Sequence, residues 1–137
     1  LVHRMEKEFF AARDLDPAFD HAGPDRNLGL LYLEAPGWPV SVGNRFKARK
    51  HLQQAAELAP HFPENRLNLM EAFARWKDTT GLREQFELWK DNLKAAREHF
   101  SGDRWAADWI AWEQRLAALK ALLPEPDRAQ HASQHEG

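Results

Sequence analysis

Two stretches of this sequence end in the same way. "FFAARDLDPAF" carries Phe9, Ala12, Leu15 and Pro17, and "LQQAAELAPHF" carries Leu52, Ala55, Leu58 and Pro60. Steps of three residues keep the first three positions of each set on one side of a helix. The proline then ends the helix, because it has no N–H and disfavours helix at the residue before it. The small Ala lets a neighbouring helix approach closely. A phenylalanine follows each proline by two residues, Phe19 and Phe62, and leads into the next helix. Repeated units of this kind cannot bury their apolar faces alone, so they are expected to stack on one another.

The remaining punctuation predicts an all-α fold with no convincing strand. Pro24, Pro36, Pro39 and Pro63 divide the chain further, and Thr80 and Ser101–Asp103 supply polar helix starts. Helices are expected near 2–15, 24–34, 44–58, 63–77, 81–100 and 103–123. After residue 80, Leu82, Phe86, Trp89, Leu93, Ala96 and Phe100 alternate in steps of four and three. Trp105, Trp109, Trp112, Leu116, Leu119 and Leu123 do the same. Two such stripes joined by "SGD" predict an aromatic-rich antiparallel helical hairpin that closes the stack. The tryptophan stripe is expected to be core, with a ligand cavity or a dimer face as the competing reading. The expected domain is residues 1–123, followed by a disordered polar tail over 124–137.

The middle of the chain resembles the tetratricopeptide repeat, a helix–turn–helix unit of about 34 residues. The resemblance covers roughly residues 5–75. Asn27, Leu28, Gly29 and Tyr32 match the first-helix pattern of the family. Gly43, Asn44, Ala48, Leu52, Ala55, Leu58 and Pro60 fall at its second-helix spacing, and Asn68, Leu69 and Phe73 restart the pattern. Asp25 and Arg66 stand where the family carries its early Trp. The resemblance implies a helical superhelix whose first helices line a concave, partner-binding face. The matching positions are Arg26, Asn27, Leu30, Leu33 and Glu34, then Glu64, Leu67, Asn68, Glu71 and Arg75. Asn27 and Asn68 could hold an extended peptide backbone, or merely bond a neighbouring turn, and Arg26 or Arg75 could meet a carboxylate.

Pro17 to Pro60 spans 43 residues, nine more than one family period of about 34. Most of the excess falls in "EAPGWPVSVG", residues 34–43, which is read as an enlarged turn inside one repeat. Trp38 at its tip is expected to fold back near Tyr32 or Phe46 as a plug, because leaving an indole in water is costly. A partner contact is the alternative role for Trp38.

The formal net charge of −2 provides no basic field for a nucleic-acid backbone. No apolar run approaches the roughly 18 residues of a membrane span. There is no cysteine, hence no disulfide or thiolate metal site. No phosphate loop, nucleophile elbow or paired-His helix motif is present, so an enzyme, a cofactor and a metal are not expected. Asp14, Asp16, Asp20 and Asp25 are read as solvated turn carboxylates. His131 and His135 are read as untethered tail residues, and the other histidines are assigned no chemistry.

The expected function is a non-enzymatic protein- or peptide-interaction scaffold. The alternative is a solute-binding helical protein, similar to periplasmic repeat components associated with TRAP-type solute transporters. In that case Trp38, Tyr32 and the Trp105 face would border the cavity. "LVHRMEKEFFAARDLDP" begins without Met and reads like mid-helix, so the chain is expected to be a piece, with cytoplasm and periplasm both open. Phe9, Phe10 and Leu15 are expected to bury against helix 24–34 or to drive self-association through the N-terminal face.

Overall fold

The computed structural model describes residues 1–124, so the expected tail beyond Pro124, with His131 and His135, lies outside the described residues. The described chain is all-helical: α1 (Val2–Leu15), α2 (Phe19–Glu34), α3 (Arg45–Leu58), α4 (Pro63–Arg75), α5 (Thr79–His99) and α6 (Asp103–Ala121). Among the described residues there is no strand, only an isolated bridge between Gly37 and Gly43.

Local chemistry sets most of these boundaries. α1 stops at Asp16, extended as a residue before proline should be. Asn44 and Asp78 cap α3 and α5 by accepting from the backbone N–H of Lys47 and Gly81, each at 2.9 Å. Pro63 opens α4 at a position where its missing N–H costs nothing.

The start of α2 departs from expectation. It begins at Phe19 rather than Pro24, through a turn in which Asp20, His21 and Ala22 all have left-handed φ of 51°, 53° and 64°. Three non-glycine residues in that region carry strain, which the surroundings must offset. Arg26 donates to the carbonyl oxygens of Asp20 and His21, and Asn65 Nδ2 donates to His21 O at 2.7 Å. Two side chains thus hold the turn, one of them from α4.

Consecutive helices from α1 to α5 pack on their neighbours, and α6 packs on α4. The backbones of α5 and α6 stay more than 8 Å apart. Their contact is made by side chains near the turn, where Arg97 pairs with Glu113 and lies over the Trp109 ring. The larger core joins Leu52, Leu67, Met70, Phe73, Phe86 and Trp112 across α3 to α6. The tryptophan stripe belongs to it. Trp109 and Trp112 are buried, and Trp109 Nε1 donates to Phe100 O at 2.7 Å. A smaller cluster of Leu28, Tyr32 and Ala48 receives Phe9 and Phe10 from α1, whereas Leu15 faces solvent. No described helix is long and apolar enough to cross a membrane.

Candidate functional site

The residues expected to line a concave face come from α2 and α4, and their surroundings differ. On α4, Glu64, Asn68 and Glu71 are met by one side chain of α6. Arg115 donates to Glu64 Oε2 at 2.7 Å, to Asn68 Oδ1 at 3.1 Å and to Glu71 Oε1 at 2.5 Å. Trp112 Nε1 adds a bond to Glu64 Oε2 at 3.0 Å. Burial works against the Arg115 charge, but its hydrogen bonds to Glu71 and Glu64 outweigh that and raise its pKa above the ordinary value. Leu67 is fully buried. This part of the face already holds a guanidinium and an indole.

The α2 part is more open. Asn27 and Glu34 are exposed, Leu30 and Leu33 are half-buried against the larger core, and Arg75 bridges to Glu34 at 3.3 Å on the surface. Arg26 is committed to the left-handed turn, to Asn65 Oδ1 at 3.0 Å and to the face of Phe62. It has little left to offer a partner carboxylate.

The α2–α3 loop corrects the expectation for Trp38. Its indole is 88% exposed, not folded onto Tyr32 or Phe46, and Phe46 is itself exposed. The loop nevertheless has a fixed path. Gly43 N–H bonds Pro36 O at 2.8 Å, Asn44 N–H bonds Tyr32 O at 2.9 Å, and Val40 and Ser41 N–H both reach Gly37 O. A Cβ on Gly43 would stand 2.0 Å from Ala35 O, so the closure depends on glycine there. Val42 supplies the apolar contact to the Leu28–Tyr32–Ala48 cluster, and Trp76 covers the same cluster from the end of α4. Backbone bonds and Val42 close the loop without the indole of Trp38.

Trp38, Tyr32 and Trp105, which would border the cavity of the alternative solute-binding reading, do not come together. Trp105 stacks among Phe62, Phe100 and Trp112 in the larger core, and Tyr32 belongs to the smaller cluster. A different concavity opens between α1 and α3, about 680 Å³ in volume, with Tyr32 of α2 and His51 of α3 among its walls.

Behind that cleft lies a charged pair the sequence reading missed. Asp25 is no solvated turn carboxylate but fully buried. Its Oδ1 accepts from His51 Nδ1 at 2.8 Å and faces Arg13 Nε at 2.9 Å. A buried carboxylate has to find such partners, since an unpaired charge there would cost several kcal/mol. The signal was present. His51 falls three residues after Ala48 and beside Leu52, on the buried face of α3. Asp20 pairs instead with Arg26 at 2.8 Å, and Asp14 and Asp16 are exposed. Among the described residues no group of three or more His, Asp or Glu side chains converges as metal ligands would.

No family model matches the chain, and no curated protein matches it.

Proposed function

We propose that this chain is a non-enzymatic interaction module built from tetratricopeptide-like helix pairs, α2–α3 and α4–α5, with α6 closing the stack. It takes a protein or peptide along the open strip of α2, residues Asn27, Leu30 and Glu34, and at the tip of the α2–α3 loop. The observation that carries this reading is the exposure of Trp38 on a loop tied by backbone hydrogen bonds, with Val40 exposed beside it. A tryptophan held out in a defined position brings a large rigid contact area at little ordering cost. Such side chains dominate the energetics of interfaces. The α4 side contributes less, because Arg115 fills it.

Selection of a random displayed peptide library on the immobilised chain tests the proposal. Selected peptides should bind Trp38→Ala at least about tenfold more weakly, a loss of about 1.4 kcal/mol. The same substitution should leave the denaturant midpoint within about 0.5 kcal/mol of the parent, as at an exposed site. Peptides that bind the variant equally well would refute the assignment. So would a loss of about 3 kcal/mol in stability, the mark of a buried aromatic plug.

A further inference from the structure

We propose that the cleft between α1 and α3 is a binding site for a small hydroxylated aromatic carboxylate, separate from the Trp38 surface. Its volume of about 680 Å³ lies within the range of roughly 300–1,000 Å³ found for small-molecule sites.

His51 is a buried polar group in the wall of the cleft, only 4% exposed. Asp25 takes its Nδ1–H, and the shape of the imidazole turns Nε2 away from Asp25. Among the described residues nothing hydrogen-bonds to Nε2. With the proton on Nδ1, Nε2 offers a lone pair, which suits a ligand hydroxyl donor. A buried carboxylate behind a histidine fixes its tautomer and ring orientation in this way.

The walls are aromatic. Phe10 meets His51 edge-on at 5.7 Å, Tyr32 stacks on it at 5.7 Å, and Phe46 stands exposed at the mouth. A flat ligand ring would lie against this aromatic wall, beside Phe10 and Phe46.

The rim supplies the charge. Lys7, Lys47 and Lys50 border the cleft, and among the described residues none of them forms an ion pair. Of the acidic groups there, Glu6 is engaged by the Tyr32 hydroxyl at 2.6 Å, and Asp14 is exposed. Arg13 is already turned to Asp25. Three ammonium groups free of ion pairs, Lys47 among them at 5.4 Å from the centre of the Tyr32 ring, favour an anion carried on a ring. The carboxylate would meet Lys47 and Lys50, and the ring hydroxyl would donate to His51 Nε2.

The test is titration of the full chain with 4-hydroxybenzoate, followed by calorimetry and by the NMR signals of His51 and Tyr32. Benzoate, phenol and inorganic phosphate serve as comparison probes. Saturable binding should shift both rings, and each comparison probe should bind several-fold more weakly. The double variant Lys47→Glu/Lys50→Glu changes exposed positions only, and it should lose about tenfold or more in affinity with unchanged helical content. Trp38→Ala should bind as the parent does, which separates this site from the protein-partner surface. Three results would overturn the proposal: no saturation at millimolar ligand, equal affinity in the lysine variant, or phosphate binding as tightly as 4-hydroxybenzoate. If His51→Ala fails to fold because Asp25 loses its partner, the lysine variant still decides.

Discussion

The Tyr32 hydroxyl donates to Glu6 across the α1–α2 gap while its ring stacks on His51. Burial first, then the hydrogen bond and the negative charge of Glu6, push the phenol far above its ordinary pKa. Tyr32 is the only tyrosine in the chain, so alkaline absorbance titration reads it alone. Its ionisation should begin at clearly higher pH than that of free tyrosine, near 10. A pKa raised on folding contributes stability that is complete below the unfolded value and lost as pH rises beyond it. The fold should therefore weaken above about pH 10, and less so in Tyr32→Phe. A phenol that titrates normally in the folded chain would contradict the Glu6 contact. At this scale the sequence was only partly legible. Tyr32, Leu28 and Gly29 could be placed from their match to the tetratricopeptide pattern. Trp38 could not, because residue type says what burial would gain but not whether a receiving surface exists. Asp25 and Arg66 occupy the slot where the tetratricopeptide pattern carries Trp, and both are buried. Asp25 is met by His51 and Arg13, and Arg66 by the Gln85 side chain at 2.6 Å. Burial lowers the Arg66 pKa, with the Glu57 charge working the other way. The position of His51 on the buried face of α3 hinted that it needs a polar partner, but nothing local says that the partner is Asp25.

Elements were read more reliably, because prolines and caps act locally. The ends of α1 and α3 and the start of α4 follow from Pro17, Pro60 and Pro63. The early start of α2 does not, since its left-handed turn depends on Asn65, forty-odd residues away. Gly29 sets how closely α2 and α3 approach. A Cβ there would lie 2.6 Å from the Leu52 side chain and 2.9 Å from its backbone nitrogen. Gly29→Ala would gain about 1 kcal/mol in helix propensity if nothing opposed it. The clash with backbone should outweigh that and leave a net loss of about 1–2 kcal/mol. Chemical denaturation checks the sign, and a more stable variant would contradict the close approach. Beyond the shared apolar core, α6 is tied to α4 by Arg115, which joins Glu64, Asn68 and Glu71. Arg115→Ala should cost about 1–2 kcal/mol, below the figure for fully buried charged hydrogen bonds because solvent screens part of the cluster. Arg115→Lys should restore only a fraction, since an ammonium cannot reproduce the forked contacts. Full recovery with lysine would show that charge alone attaches the helix.

At the scale of the whole molecule, the two clusters divide the stack into unequal parts. α4 is buried along most of its length, whereas α1 contains no buried residue. Amide exchange should accordingly open α1 well before α4. The all-helical architecture was legible from periodicity, because apolar spacing reports which side of each helix is covered. Which helix would cover α4 was not, because the stripe on α6 suits α5 and α4 equally well and only Glu64, Asn68 and Glu71 favour α4. That choice makes the molecule asymmetric, with the α4 side occupied by its own chain and the α2 side and loop left open. Hydrogen–deuterium exchange of the full chain, with and without a library-selected peptide, tests this asymmetry most directly. Exchange should slow across residues 27–46, with α4 and α6 unchanged. Protection at residues 64–71 together with faster exchange in α6 would contradict it, since the partner would then be displacing Arg115 rather than using the open end.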